Sequence, residues 1–156
     1  MKVIFLDIDG VLNSRKYDSV RNWNEQTDID VSRLPLLGEI VAATGAEIVL
    51  SSTWRVLWEK EESLCDEDGA YINQTFARYG LKVYDKTPYL GLTAERREEV
   101  KLWLEEHAQT VEKFVIIDDY GFGWGELADY LVKTAPRLRL GLEREHVDAA
   151  IRILNG

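Results

Sequence analysis

The sequence predicts an α/β fold with a mostly parallel sheet, built as one domain. Three short runs that are apolar at all positions but Glu47, at 3–6, 47–50 and 114–117, have the composition of strands that are buried on both faces. Segments with helical spacing of apolar residues separate these runs, which favours crossover helices between parallel strands. Residues that can carry chemistry follow each run, and the carboxyl ends of parallel strands meet at one edge of a sheet.

Two carboxylates, Asp7 and Asp9, follow the first run and precede Gly10. Acids placed together beside an apolar strand repel each other unless a cation offsets the charge. Mg²⁺ suits such a place, because it binds a few carboxylate oxygens and keeps waters that a phosphate can replace. Asp28 and Asp30 have the same spacing but no apolar strand before them, so Asp30 is predicted to be a helix N-cap instead.

Residues 14–26 have no clear helical or strand period and would overhang the end of the first strand. They carry cationic and aromatic side chains, namely Arg15, Lys16, Arg21 and Trp23. A flap with cations facing substrate and an ordinary solvated loop are equally open interpretations. A helix is predicted over 30–44, ending at Gly45, with an apolar face made of Leu34, Leu37, Val41 and Ala42.

The second strand ends in a run of hydroxyls, Ser51-Ser52-Thr53, followed by Trp54 and Arg55. Hydroxyls at this edge could donate hydrogen bonds to phosphate oxygens, although such a triplet alone more often caps the next helix. The following segment, 56–92, is predicted to be a helical insert, too short and too poor in strand signals to form a large cap domain.

A helix is predicted over 93–107, with Thr93 as its N-cap and an apolar stripe of Val100, Trp103 and Leu104. Arginine in a first helical turn opposes the helix dipole. At 100° per residue, Arg96 lies roughly 30° and Arg97 roughly 70° from the centre of the stripe. We therefore expect Arg96 to reach the carboxylates, and Arg97 is the alternate for this role. The simpler interpretation is that Arg96 is a surface arginine whose charge is balanced by nearby acids.

The third strand ends in Asp118 and Asp119. The glycine-rich segment 120–125 does not match Gly-x-Gly-x-x-Gly, so a dinucleotide site is rejected. A last strand is predicted at 131–135 and a closing helix at 143–154, whose inward residues are Val147, Ala150, Ile151 and Leu154. Three tryptophans, Trp23, Trp54 and Trp124, are predicted either to pack in the core or loops or to form a stacking surface for a ring. His107 and His146 have no partner at metal-ligand spacing and are predicted to lie on helix surfaces.

Together these motifs resemble the four motifs of the haloacid dehalogenase (HAD) superfamily in order. Asp7-Ile8-Asp9-Gly10-Val11-Leu12 is similar to motif I, Ser51 to motif II, Arg96 to motif III and Asp118-Asp119 to motif IV. Ser52-Thr53-Trp54-Arg55 and the tail Gly141-Leu142-Glu143 resemble a narrower group, the capless HAD domains of Swiss Army knife RNA-repair proteins. The resemblance implies a three-layer Rossmann-like HAD fold without a large cap domain.

The resemblance also implies a Mg²⁺-dependent phosphohydrolase that acts through an aspartyl-phosphate. Asp7 would be the nucleophile, Asp9 the general acid and base, and Ser51 and Arg96 the remainder of the phosphate cradle. The metal would be held by Asp7, the Asp9 carbonyl and Asp118, and through water by Asp119. Further substrate contacts are expected from Gly10, Ser52 and Arg55.

The net charge of −9 argues against broad nucleic-acid binding but leaves room for a phosphorylated nucleic-acid end or a phosphorylated small molecule. A single cysteine, Cys65, excludes an intrachain disulfide, and no apolar run has the length of a membrane span. We therefore expect a cytoplasmic protein. The alternatives are a nucleotide phosphatase or phosphotransferase and a non-catalytic binding or regulatory HAD domain.

Overall fold

The computed structural model describes residues 1–21 and 28–156, and in this part of the chain the strands form a single parallel sheet. The strands are β1 (Lys2–Leu6), β2 (Glu47–Leu50), β3 (Val83–Lys86), β4 (Lys113–Asp118) and β5 (Leu131–Lys133). Their order across the sheet is β3-β2-β1-β4-β5, and every neighbouring pair is parallel. The predicted α/β fold is confirmed.

The described part of the chain has five α-helices, and helices pack against both faces of this sheet. They are α1 (Arg15–Val20), α2 (Leu34–Thr44), α3 (Glu67–Ala77), α4 (Arg96–Glu106) and α5 (Arg144–Asn155). Ile4 and Leu6 of β1 belong to the core cluster that includes α2, α3 and α5, whereas Val3 and Phe5 belong to the cluster formed with α4. Because successive side chains of a strand point to opposite faces, a strand covered on both sides is apolar at every position.

The helix before β2 begins later than predicted. Asp30 does act as a cap, accepting a hydrogen bond from the Ser32 N–H at 3.1 Å, but it caps a 3₁₀ turn (Val31–Arg33) from which α2 continues. Ile40 completes the buried face, and Ala42 is exposed. The assignment of Ala42 was wrong, because five residues at 100° each turn it well away from Leu37.

Two predicted helix ends also need correction. Thr93 is not the N-cap of α4: a turn closed by the Ala94 N–H on the Gly91 carbonyl (3.3 Å) delays the start, and Glu95 precedes the first helical residue. His146 was predicted on a helix surface, but its side chain is buried at the start of α5. Its Nδ1 accepts a hydrogen bond from the Glu143 N–H at 2.9 Å, as part of a capping box. In such a box the imidazole takes the place of the usual Glu or Gln side chain.

The segment 56–92 is not purely helical as predicted, because it contributes α3 and also β3, one of the two edge strands of the described sheet. No inserted cap domain is present in the described ranges, as the resemblance implied. Of the proposed flap, α1 (Arg15–Val20) and its caps, Ser14 and Arg21, account for 14–21, whereas 22–27, including Trp23, lie outside the described residues. None of the described helices is long and apolar enough to cross a membrane.

The strand order reverses between β1 and β4. From β1 the chain proceeds outward to β2 and β3 on one side, and β4 and β5 lie on the other. In open parallel sheets the crevice at such a reversal, outside the carboxyl ends of the strands, is where ligands bind. Asp7 follows β1, and Asp118 is the last residue of β4, so both acids lie at this point.

Candidate active site

The carboxylates of Asp7 and Asp118 are bridged by Arg96. Its Nη1 lies 3.2 Å from an Asp7 oxygen and 2.6 Å from an Asp118 oxygen, and neither acid exposes more than 4% of its surface. Arg97 points elsewhere and pairs with Glu95 and, at 3.8 Å, with Glu126. The geometry therefore favours Arg96 as the motif III cation.

Burial governs the protonation of these acids. Burial and the neighbouring Asp118 raise the pKa of Asp7 well above its ordinary value, with Arg96 acting in the opposite direction. Burial also raises the pKa of Asp118. Burial alone would lower the pKa of Arg96, but the two carboxylates raise it. One arginine thus offsets only part of the negative charge collected here.

Asp119 joins Asp7 and Asp118 in a group that could hold a metal ion. Each of the three can offer a carboxylate oxygen, and these atoms lie within 4.8 Å of one another. Gly10 permits this approach: its φ is +85°, and a Cβ built there would lie 2.5 Å from Cγ of Asp119. Its N–H is taken by Asn13 at 2.8 Å, so Gly10 makes room for an acid and offers no free donor to substrate.

Asp9 lies apart from this group, and two side chains fix its carboxylate. The indole N–H of Trp54 donates to one oxygen at 3.0 Å, and the amide of Asn13 donates to the other at 3.0 Å. The residue types of Asn13 and Trp54 do not by themselves indicate this role. The spacing of Asn13 from Asp9, four residues within a loop that turns at Gly10, was the available signal.

The two serines after β2 have different surroundings. Ser51 is fully buried, and its Oγ has no hydrogen-bond partner among the described residues. A buried hydroxyl without a partner is uncommon, and a phosphate oxygen would supply an acceptor for it. Ser52 is also fully buried, but its Oγ accepts the Trp54 N–H at 3.2 Å and caps the 3₁₀ helix Thr53–Leu57. The geometry makes Ser52 a capping residue rather than the expected substrate contact.

Arg55 is not placed as a phosphate ligand, contrary to expectation. Its guanidinium is buried and donates to the carbonyls of Ser52 at 2.8 Å, Thr87 at 3.1 Å and Pro88 at 3.2 Å. It also pairs with the buried Glu99 at 2.8 Å. Burial lowers the pKa of Arg55, while Glu99 opposes the change. These contacts use its donors to join the loops after β2 and β3 to α4, a role that the sequence pattern did not reveal.

A cleft of about 830 Å³ opens over the carboxylates. Asp7, Asp118 and Asp119 form its charged floor, and the exposed Asp9 lies at its rim. The segments after β2, β3 and β4 and the start of α4 form its walls. Trp124 lines it but is buried, with its indole N–H on the Tyr120 carbonyl at 2.8 Å. Packing and a stacking surface were the two alternatives for the tryptophans, and Trp124 follows the first, because it is buried. Trp54 is half-buried and donates to Asp9, and Trp23 lies outside the described residues.

Comparison with known proteins agrees with this geometry. The family described as "HAD domain in Swiss Army Knife RNA repair proteins" matches residues 3–147, which include all the acids discussed above. No curated protein and no solved structure gave a match. With the family match spanning nearly the whole chain, and with the acids at the ends of β1 and β4, the chain belongs to the HAD domains of the Swiss Army Knife RNA-repair type.

Proposed function

We propose that this chain is a Mg²⁺-dependent phosphomonoester hydrolase that works through an aspartyl-phosphate on Asp7. Membership of the family supports phosphatase-type activity in general. The observation that carries the finer proposal is the convergence of three carboxylates with Arg96 and with the unpartnered hydroxyl of Ser51 at one sheet edge. Acids that can hold a cation and donors that can bind a phosphate are thus gathered around Asp7.

In the first step an oxygen of Asp7 attacks phosphorus, and the bond from phosphorus to the ester oxygen breaks. The departing oxygen takes a proton from the carboxyl group of Asp9. In the second step water attacks the phosphorus of the acyl phosphate and gives a proton to Asp9. Inorganic phosphate leaves, and the carboxylate of Asp7 is restored.

Ser51 and Arg96 serve the transferring group in both steps. The free hydroxyl of Ser51 donates to a phosphoryl oxygen, and Arg96 balances charge that develops beside Asp7. Trp54 and Asn13 keep Asp9 at the rim of the cleft, where a leaving oxygen would emerge. Asp7, Asp118 and Asp119 would hold Mg²⁺, which when bound neutralises charge on the phosphoryl group.

The substrate is proposed to be a phosphorylated small molecule or the phosphorylated end of a nucleic acid. The described chain carries no cap domain over the cleft, so a large substrate can approach the acids. Broad binding along a nucleic acid is not part of the proposal, because the net charge is −9.

The test is hydrolysis of an aryl phosphate and of a panel of nucleotides, with and without Mg²⁺. We expect metal-dependent phosphate release that Asp7→Asn abolishes. The matched control is Asp129→Asn, which changes an exposed acid outside the cleft and should retain activity. Activity retained by Asp7→Asn would contradict the assignment of the nucleophile, and activity unaffected by removal of the metal would contradict the role of Mg²⁺.

A further inference from the structure

Large exposed apolar side chains cluster at the cleft over the carboxylates. Twelve such residues occur in the described ranges, and five of them line this one cleft. These five are Val56, Tyr89, Leu92, Tyr120 and Phe122, with exposed fractions between 51% and 96%. Single exposed apolar residues are ordinary, but a contiguous group at a cleft is typical of a binding surface.

The five residues come from three separate segments, each of which follows a strand of the sheet. Val56 follows β2, Tyr89 and Leu92 follow β3, and Tyr120 and Phe122 follow β4. The Tyr120 and Phe122 rings meet edge to face, with centroids 5.8 Å apart. These segments leave the same edge of the sheet as the acids and line the same cleft, so the apolar wall is continuous with the phosphoryl site.

Among the residues that the structure describes, the cleft offers no unpaired cation for a second phosphate. The cationic side chains that line the cleft in the described chain are three arginines, and each is already paired with a carboxylate. Arg55 pairs with Glu99, and Arg96 lies between the acids of the floor. Arg97 pairs with Glu95. A polyphosphate or a second anionic group on the substrate would therefore lie against apolar rings without compensation.

We propose that this wall, formed by Val56, Tyr89, Leu92, Tyr120 and Phe122, binds a flat, uncharged ring in the leaving group of the phosphate ester. The inference rests on the proposed phosphatase function and specifies its substrate class. Aromatic side chains bind planar rings through offset or edge-to-face contacts. A bare sugar phosphate presents hydroxyls instead, which lose water against an apolar wall without finding partners.

The experiment compares two pairs of esters that share their ester linkage. Adenosine 5′-monophosphate and ribose 5-phosphate differ by the nucleobase, and benzyl phosphate and cyclohexylmethyl phosphate differ in whether the ring is flat. Because stacking of one base on aromatic side chains contributes about 1–3 kcal/mol, we expect kcat/KM to be roughly 5- to 150-fold higher for the flat-ring member. If only the nucleotide is preferred over its partner, the bound ring is a nucleobase. If only benzyl phosphate is preferred, the ring is an aryl group, and if both are preferred, the wall accepts any flat ring.

The wall is then removed one side chain at a time. Phe122→Ala and Tyr89→Ala should lower the preference for the flat ring several-fold, whereas Leu138→Ala, which changes a leucine that is 90% exposed away from the cleft, should keep it. Equal kcat/KM within both pairs would overturn the proposal while leaving the phosphatase function intact. A preference that survives both wall variants would also overturn it.

Binding to the Asp7→Asn variant separates this inference from the proposed function. If no ester is hydrolysed, the phosphatase proposal fails, and calorimetry on this variant still measures the affinity for adenosine 5′-monophosphate and ribose 5-phosphate. Tighter binding of the nucleotide, lost in a second variant that also carries Phe122→Ala, supports the ring site. Equal affinity, or no binding of either compound, overturns it.

Discussion

Replacing Arg55 by Met should destabilise the protein strongly without removing a substrate contact. The guanidinium is 2% exposed and joins the carbonyls of Ser52, Thr87 and Pro88 to the carboxylate of Glu99. Met replaces the aliphatic stem but donates no hydrogen bond. The Arg55→Met variant therefore leaves a buried carboxylate without its cation.

The magnitude follows from the burial of both partners. Removing one member of a buried ion pair costs about 3–5 kcal/mol, because the other charge stays buried without compensation. For a domain of this size each kcal/mol shifts the melting temperature by roughly 2–4 °C, so a decrease of roughly 6–20 °C is expected. Glu99 keeps one bond, from the Leu90 N–H at 3.0 Å, which favours the lower part of this range.

The assay is urea unfolding followed by circular dichroism, together with kcat and KM measured well below the melting temperature. Arg78→Met, at an exposed arginine, is the control and should stay within about 0.5 kcal/mol of the unsubstituted protein. Combining Arg55→Met with Glu99→Met removes both charges and should destabilise by less than the sum of the single changes. An unchanged free energy of unfolding with a tenfold higher KM would refute the argument and restore Arg55 as a substrate contact.

Further predictions concern the acids and the residues that position them. Burial and Asp118 raise the pKa of Asp7 in the folded metal-free protein. Above the ordinary carboxyl range the folded protein therefore keeps a proton on Asp7 that the unfolded chain has lost, and its free energy of unfolding falls as the pH rises. Asp7→Asn should therefore raise the melting temperature of the metal-free protein at neutral pH, and the increase should be smaller near pH 4. An equal increase at the two pH values would contradict this reasoning. Mg²⁺ at about 100 times its dissociation constant should add about 2.7 kcal/mol of stability, seen as a higher melting temperature that Asp7→Asn reduces. Trp54→Phe removes a hydrogen-bond donor to Asp9 but keeps an aromatic ring. It should slow hydrolysis of alkyl phosphates more than that of p-nitrophenyl phosphate, because the nitrophenolate leaving group needs no proton from Asp9. Equal losses of rate on the two esters would indicate a purely structural role for Trp54. Gly10→Ala should lower the free energy of unfolding in urea by more than about 1 kcal/mol and weaken Mg²⁺ binding in a titration, because the added Cβ would lie 2.5 Å from Cγ of Asp119. Unchanged metal affinity in this variant would show that Asp119 does not contribute to the metal site.

The sequence revealed the central part of the fold because burial on both faces makes strand positions apolar without interruption. Three strands could be located in this way, together with the acids at the ends of β1 and β4 and the serine after β2. The edge strand β3 was harder to recognise, because Tyr84, Asp85 and Lys86 are only partly buried and carry no continuous apolar run. The start of α4 was misplaced because Thr93 is a good cap by type, whereas the turn that closes on Gly91 decides where the helix begins.

In the candidate site, the sequence identified residue types but not their partners. Arg55 and Arg96 are both arginines close to strand or helix ends, and only the packing shows that Arg55 faces Glu99 and backbone carbonyls while Arg96 faces Asp7. The support of Asp9 by Trp54 joins residues 45 positions apart, which no local spacing rule detects. The apolar wall of the cleft likewise depends on three segments that meet only in the folded chain.

The most direct test of the account is to stop the reaction in acid during turnover and map the phosphoryl group on the protein. With Mg²⁺ and a hydrolysed ester present, peptide mass spectrometry should find the phosphoryl group on Asp7, and none on Asp9, Asp118 or Asp119. Asp7→Asn should carry no phosphoryl group under the same conditions. Release of phosphate without a protein-bound phosphoryl group, or labelling of a different acid, would contradict the account.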